Sequence, residues 1–86
     1  MTYALRLGGR ARRELARLPH DVITRIDKAI TALAENPRPP GCKKLRSKTP
    51  EGWRVRVGVY RVLYQLDDAR REVTVYRIAH RRDVYN

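Results

Sequence analysis

One cysteine, Cys42, stands in a chain of 86 residues. An internal disulfide is therefore excluded, and no Cys/His spacing is present to hold zinc. Long apolar runs are missing too. The longest uncharged stretch falls far short of the roughly 18 residues that a membrane-spanning helix needs, and nothing reads as a signal peptide, so a cytoplasmic protein is expected. Internal repeats are absent, and the length suits a single small domain over residues 1–86, with one core if helices cover one side of a sheet. Carboxylates are few and scattered: Glu14, Asp67, Asp68 and Asp83 form no pair for two-metal nuclease chemistry, and no His/Glu pair of the kind many ribonucleases use is visible. Neither a metal nor another cofactor is expected.

What the chain does have is positive charge, 20 basic against 9 acidic residues for a net +11. The excess is uneven. Residues 1–36 carry seven basic and four acidic side chains, residues 67–86 five and four, but residues 37–66 carry eight and one. A merely solvated surface does not require charge to gather in one third of the chain, so a polyanionic partner is expected, with nucleic acid favoured. No segment pairs bulky aromatics with a lysine-rich face, which argues against an anionic membrane.

The concentrated charge falls on Trp53 to Tyr64, WRVRVGVYRVLY. Val55, Val57, Val62 and Tyr64 recur with the period of two that marks a half-buried strand, and Arg54, Arg56 and Arg61 fall between them. Gly58-Val59 suits a type II′ hairpin turn, which would set Val57 against Tyr60, Arg56 against Arg61, Val55 against Val62 and Trp53 against Tyr64. One face is then apolar, with Trp53, Tyr60 and Tyr64 in the core, and the other is cationic. Like charges directly opposite one another destabilise a sheet, so Arg56 against Arg61 points to an anion between them.

Around this hairpin the remaining elements follow from pattern. Thr2 to Leu7 alternates as a first strand that Gly8-Gly9 ends. A short amphipathic helix from Arg10 carries Ala11, Leu15 and Leu18 on one face, with Arg12, Arg13 and Arg17 solvated. A second helix, from about His20 to Glu35, has the stripe Val22, Ile26, Ala29, Ile30 and Leu33, with Arg25 facing away, and Asn36-Pro37 stops it. Pro37 to Gly41 reads as a stiff connector that delivers Lys43, Lys44, Arg46 and Lys48 to the sheet. After the hairpin, Asp67 to Arg71 makes a polar turn, Glu72 to about Ala79 is the last strand with Arg77 solvated, and His80 to Asn86 is a tail. The expected fold is α+β: an N-terminal strand, a two-helix hairpin, then a three-stranded antiparallel segment, with the helices on one face of a small, mostly antiparallel sheet.

Several segments in this order resemble the RelE family of bacterial toxins, within the RelE/ParE superfamily. They are Ala29-Ile30 and Leu33 leading into Asn36-Pro37-Arg38-Pro39, then Cys42-Lys43-Lys44-Leu45, Trp53 to Gly58, Tyr60 to Tyr64, and His80 to Tyr85. The resemblance spans nearly the whole chain and implies the toxin of a type II toxin-antitoxin pair, cutting messenger RNA on the ribosome and held in a hetero-oligomer by a cognate antitoxin. It implies catalytic roles for Arg54, Arg56, Arg61, Arg81 and Tyr85. The family's best-known member has lysines at the first two positions. Arginine there keeps charge stabilisation but is a poor general base, because it almost never loses its proton.

The implied reaction needs neither metal nor external nucleophile: the RNA's own 2′-oxygen attacks the adjacent phosphorus and leaves a 2′,3′-cyclic phosphate and a free 5′-hydroxyl. Charge on the phosphorane must be stabilised, the 2′-oxygen must lose a proton and the 5′-oxygen must gain one. Arg56 and Arg61 would clamp the reacting phosphate, with Arg54 and Lys44 on neighbouring ones. Arg81 is the implied proton donor or second clamp, and Tyr85 stacks on a base or orients the 2′-hydroxyl. Lys43, Arg46, Lys48, His80 and Arg82 are expected to bind RNA alongside Lys44. Strand alternation separates His80 from Arg81, which argues against His80 as the base. Two other readings of the same residues are a ParE-like DNA gyrase inhibitor and a basic RNA-binding protein without activity.

Overall fold

The computed structural model describes residues 2–45 and 52–83. Its strands are β1 (Ala4–Leu7), β2 (Lys43–Lys44), β3 (Gly52–Val57), β4 (Tyr60–Asp67) and β5 (Glu72–His80), joined in one sheet of order β1-β5-β4-β3-β2. Helices α1 (Gly9–Ala16) and α2 (His20–Glu35) lie between β1 and β2 in the chain, and a 3-10 turn, Arg81–Asp83, follows β5. β1 runs parallel to β5 and every other pairing is antiparallel. The expected α+β arrangement is found, with β2 as an addition. Two residues are too few to show a period, so β2 was not legible as a strand.

The apolar stripe of α2 makes the core. Val22, Ile26, Ile30 and Leu33 are buried with Ala11 of α1 against Val62, Tyr64 and Leu66 of β4 and Val73, Val75 and Ile78 of β5. Alternate β4 residues supply this face, so Arg61, Leu63 and Gln65 point to the other. On β5 the alternation breaks once: Leu63 pairs with Arg77 but Tyr64 pairs with Val75, leaving Tyr76 as the extra residue of a bulge. The bulge lets Val75 and Ile78, three residues apart, both face the helices.

β1 covers only the first half of β5, Glu72 to Val75. The exposed edge beyond it is taken over by α1. The Gly8 N–H donates to the Val75 carbonyl at 2.9 Å, and the Glu14 carboxylate accepts the Ile78 N–H at 2.7 Å while Arg77 Nε lies 3.4 Å from its other oxygen. Arg77 is thus not a solvated residue; its partner lies 63 positions away in the sequence. A half-buried N–H left without an acceptor costs about 1–3 kcal/mol. Glu14→Ala is expected to lose that much stability in chemical denaturation, and Glu14→Gln, which keeps an acceptor oxygen, to recover part of it.

The connector after α2 is clamped from two sides. Tyr64, fully buried, donates its hydroxyl to the Pro37 carbonyl at 2.7 Å. Arg38 binds Asp68 through both terminal nitrogens, at 2.8 and 3.3 Å, and its guanidinium lies over the Trp53 ring at 5.1 Å. The Arg38 guanidinium and the Tyr3 hydroxyl, which also donates to Asp68, hold that carboxyl below the usual carboxylate range. Fixed in this way, the connector brings β2 onto the edge of β3.

Candidate functional site

The β3–β4 pairing is the one the turn chemistry requires. Gly58 has φ 61°, Val59 does not take a positive φ, and the register sets Val57 against Tyr60, Arg56 against Arg61, Val55 against Val62 and Trp53 against Tyr64. Trp53, Val55, Val57 and Tyr60 pack on the core side. Arg54, Arg56 and Arg61 therefore share the face of the sheet that no helix covers. β2 adds to it, since Lys43 stands across from Arg54. Lys44 stands across from Trp53 instead, so the expected partnership of Lys44 with Arg54 passes to Lys43.

Arg61 sits in the centre of this face, flanked by Arg56 on β3 and the small Ala79 on β5. Its Nε is enclosed by protein and has no acceptor among the described residues. Burial, and after it the charges of Arg54, Arg56 and Arg81, pull the Arg61 guanidinium below the usual arginine range. Arg81 joins the group because its backbone N–H donates to the Val59 carbonyl at 2.7 Å, which ties the end of β5 to the tip of the β3–β4 turn. Four guanidinium groups thus converge, one of them partly desolvated, with no carboxylate bound to Arg56 or Arg61 among the described residues. Such an arrangement is costly in an empty protein and favourable around an oxyanion.

The opposite end of the same face carries two carboxylates. Gln65, Leu66, Asp67, Glu72 and Thr74 line a shallow pocket there, where Asp67 accepts the Arg70 N–H at 3.0 Å and Glu72 pairs with Arg6 at 3.2 Å.

Of the other residues singled out in the sequence, His80 lies on the helix side of the sheet. It pairs across from Tyr60, edge to face with ring centroids 5.5 Å apart, and its Nδ1 accepts the Arg82 N–H at 3.3 Å. Arg81 and Arg82 are exposed in the following turn. Arg46, Lys48 and Tyr85 lie outside the described residues. Among the described residues no three His, Cys, Asp or Glu side chains are grouped to hold a metal ion, and no helix is long and apolar enough to cross a membrane.

Residues 5–85 match the family model described as the ParE toxin of type II toxin-antitoxin systems, parDE. The chain is 35% identical to Toxin RelG of Mycobacterium tuberculosis, over 99% of this chain and 98% of that one. Among solved structures it is similar to the toxin-antitoxin complex RelBE2 of M. tuberculosis, with TM-score 0.81 and 30% identity over 93% of this chain and 99% of that one. The isolated E. coli RelE toxin gives TM-score 0.77 and 28% identity over 91% of this chain and 83% of that one. The RelE-RelB complex of Pyrococcus horikoshii shares the fold, with TM-score 0.84 at 24% identity over 94% of this chain and 97% of that one.

Proposed function

The chain belongs to the ParE toxin family of type II toxin-antitoxin systems, in the RelE/ParE superfamily, and from that premise we propose that it is an endoribonuclease that cuts messenger RNA on the ribosome. The observation that carries this reading is the enclosed, acceptor-free Arg61 Nε beside Arg54, Arg56 and Arg81 on the open sheet face. A phosphodiester on this face would meet several guanidinium groups at once, and such concentrated positive charge is what phosphorane stabilisation draws on.

In the proposed reaction Arg61 and Arg56 clamp the scissile phosphate, Arg54 and Lys43 hold its neighbour, and Arg81 neutralises the charge on the departing 5′-oxygen. The 2′-hydroxyl gives its proton to water as its oxygen attacks phosphorus and the P–O5′ bond breaks, and the departing 5′-oxygen takes a proton from water, so the products are a 2′,3′-cyclic phosphate and a 5′-hydroxyl. Arginine at positions 54 and 56 supplies charge rather than a base, and Tyr85 is assigned to orienting the 2′-hydroxyl or stacking on a base. The domain spans residues 1–86 and works in the cytoplasm, where ribosomes are. Its partner at rest is a cognate antitoxin protein, by likeness to RelBE2 of M. tuberculosis, solved as a toxin-antitoxin complex.

Purified protein mixed with programmed ribosomes, and separately with free messenger RNA, tests this reading when the 5′ ends are mapped. Cleavage on ribosomes alone is the expected result. A second reading, poisoning of DNA gyrase, is favoured by the name of the matching family model. It predicts DNA damage on induction, with messenger RNA left intact.

A further inference from the structure

Arg25 is the basic residue whose position the sequence explains least. It is exposed on α2, and Asp21 four residues earlier is its natural helix partner. No ion pair joins the two, and none joins Arg25 to any other described residue. The guanidinium reaches instead to the β3–β4 turn, where a Cβ on Gly58 would lie 3.6 Å from Arg25 Nη1 and 3.9 Å from Nη2. Glycine at φ 61° keeps the turn low under it.

The same turn is tied to Arg81 through the Val59 carbonyl, and the exposed Val59 side chain caps it. Cationic surface therefore does not stop at the edge of the open face. It continues from Arg61 and Arg56 over the tip, past Arg81 and Arg82, to Arg25 on the helix side, where the Tyr60–His80 ring pair also lies. With Nδ1 accepting the Arg82 N–H, His80 keeps its Nε2 proton free to donate. Basic side chains spaced along a strip are the pattern that tracks the backbone of a single strand.

We propose that the RNA strand held at Arg61 passes over the Gly58-Val59 turn and places a phosphate, outside the cleaved dinucleotide, on Arg25. The inference rests on the endoribonuclease reading for the location of the cleaved phosphate, but its test reads binding alone. Two residues of chain, roughly 7 Å, separate Arg61 from Val59 at the tip, and Arg25 lies beyond the tip on the helix side, so a dinucleotide at Arg61 stops short of Arg25.

The probe is 2′-O-methyl RNA, which has no free 2′-hydroxyl, in a dinucleotide form and in a form extended by several nucleotides on both sides. In the parent protein, lengthening the strand raises affinity. Arg25→Ala is expected to remove about 3- to 10-fold of that gain and to lower the slope of log affinity against log salt by about 0.7, the value for one contact to a single strand. Arg25→Lys is expected to restore most of it, and Arg61→Ala to weaken both lengths. Equal loss on both lengths for Arg25→Ala would mean that Arg25 only props the turn, and would overturn the proposal. So would no loss on the long strand. If Arg61→Ala leaves both lengths unaffected, the endoribonuclease site itself is misplaced; if it weakens both while Arg25→Ala weakens neither, only the Arg25 contact fails.

Discussion

Arg61→Ala is expected to cut RNA about 10²- to 10³-fold more slowly than the parent, the usual cost of removing one preorganised donor from an oxyanion. The larger part of the loss should lie in the turnover number, with a smaller rise in KM, because a donor that holds the ground-state phosphate holds the extra charge of the phosphorane more strongly. The same position should show the opposite trend in stability. The Arg61 guanidinium is partly desolvated, its Nε has no acceptor among the described residues, and three like charges act on it. Arg61→Met, which keeps the aliphatic stem and removes the charge, is therefore expected to raise the denaturation midpoint as it abolishes cleavage. A loss of activity accompanied by a loss of stability would instead make Arg61 a structural residue of β4.

Tyr64→Ala is expected to cost about 3–5 kcal/mol of folding stability, the range for truncating a large aromatic side chain in a core. Tyr64 is fully buried at the meeting of α2, β3 and β4, so truncation leaves a cavity lined by the core, and it also strands the Pro37 carbonyl. Against a total of about 5–15 kcal/mol for a domain of ordinary stability, much of the fold is at risk. Tyr64→Phe separates the two effects. It keeps the ring and removes only the hydroxyl that binds Pro37, for about 1–2 kcal/mol. Urea denaturation of both variants measures the difference. If Tyr64→Phe were as damaging as Tyr64→Ala, the connector clamp rather than the core would be the dominant contribution.

Tyr64 and Arg61 also mark what could be read from the sequence. Both lie on a hairpin whose register follows from local rules, a Gly at positive φ and a period of two, and local rules survive folding intact. The stripe on α2 is local in the same sense, and α2 begins at His20 and ends at Glu35 as its pattern requires. The features that escaped are those that depend on distant partners. The Tyr76 bulge follows from the need of Val75 and Ile78 to share a face, and Glu14 acts on a strand 64 residues away. β2 becomes a strand only because a connector held by Tyr64, Trp53 and Asp68 brings Lys43 to Arg54. That placement exchanges the expected roles of Lys43 and Lys44 at the candidate site. Arg25 read only as facing away from the α2 stripe, because nothing in the sequence shows the Gly58 turn lying against it.

The chemistry proposed for this site makes the RNA its own nucleophile, and that step is open to a direct measurement. The purified protein is given programmed ribosomes carrying a message with a single 2′-deoxynucleotide on the 5′ side of the mapped cut. Cleavage at that bond is expected to stop, while cuts at unmodified positions continue and yield 2′,3′-cyclic phosphate and 5′-hydroxyl ends. Undiminished cleavage at the 2′-deoxy position would contradict attack by the 2′-oxygen and with it the assignment of the arginine face.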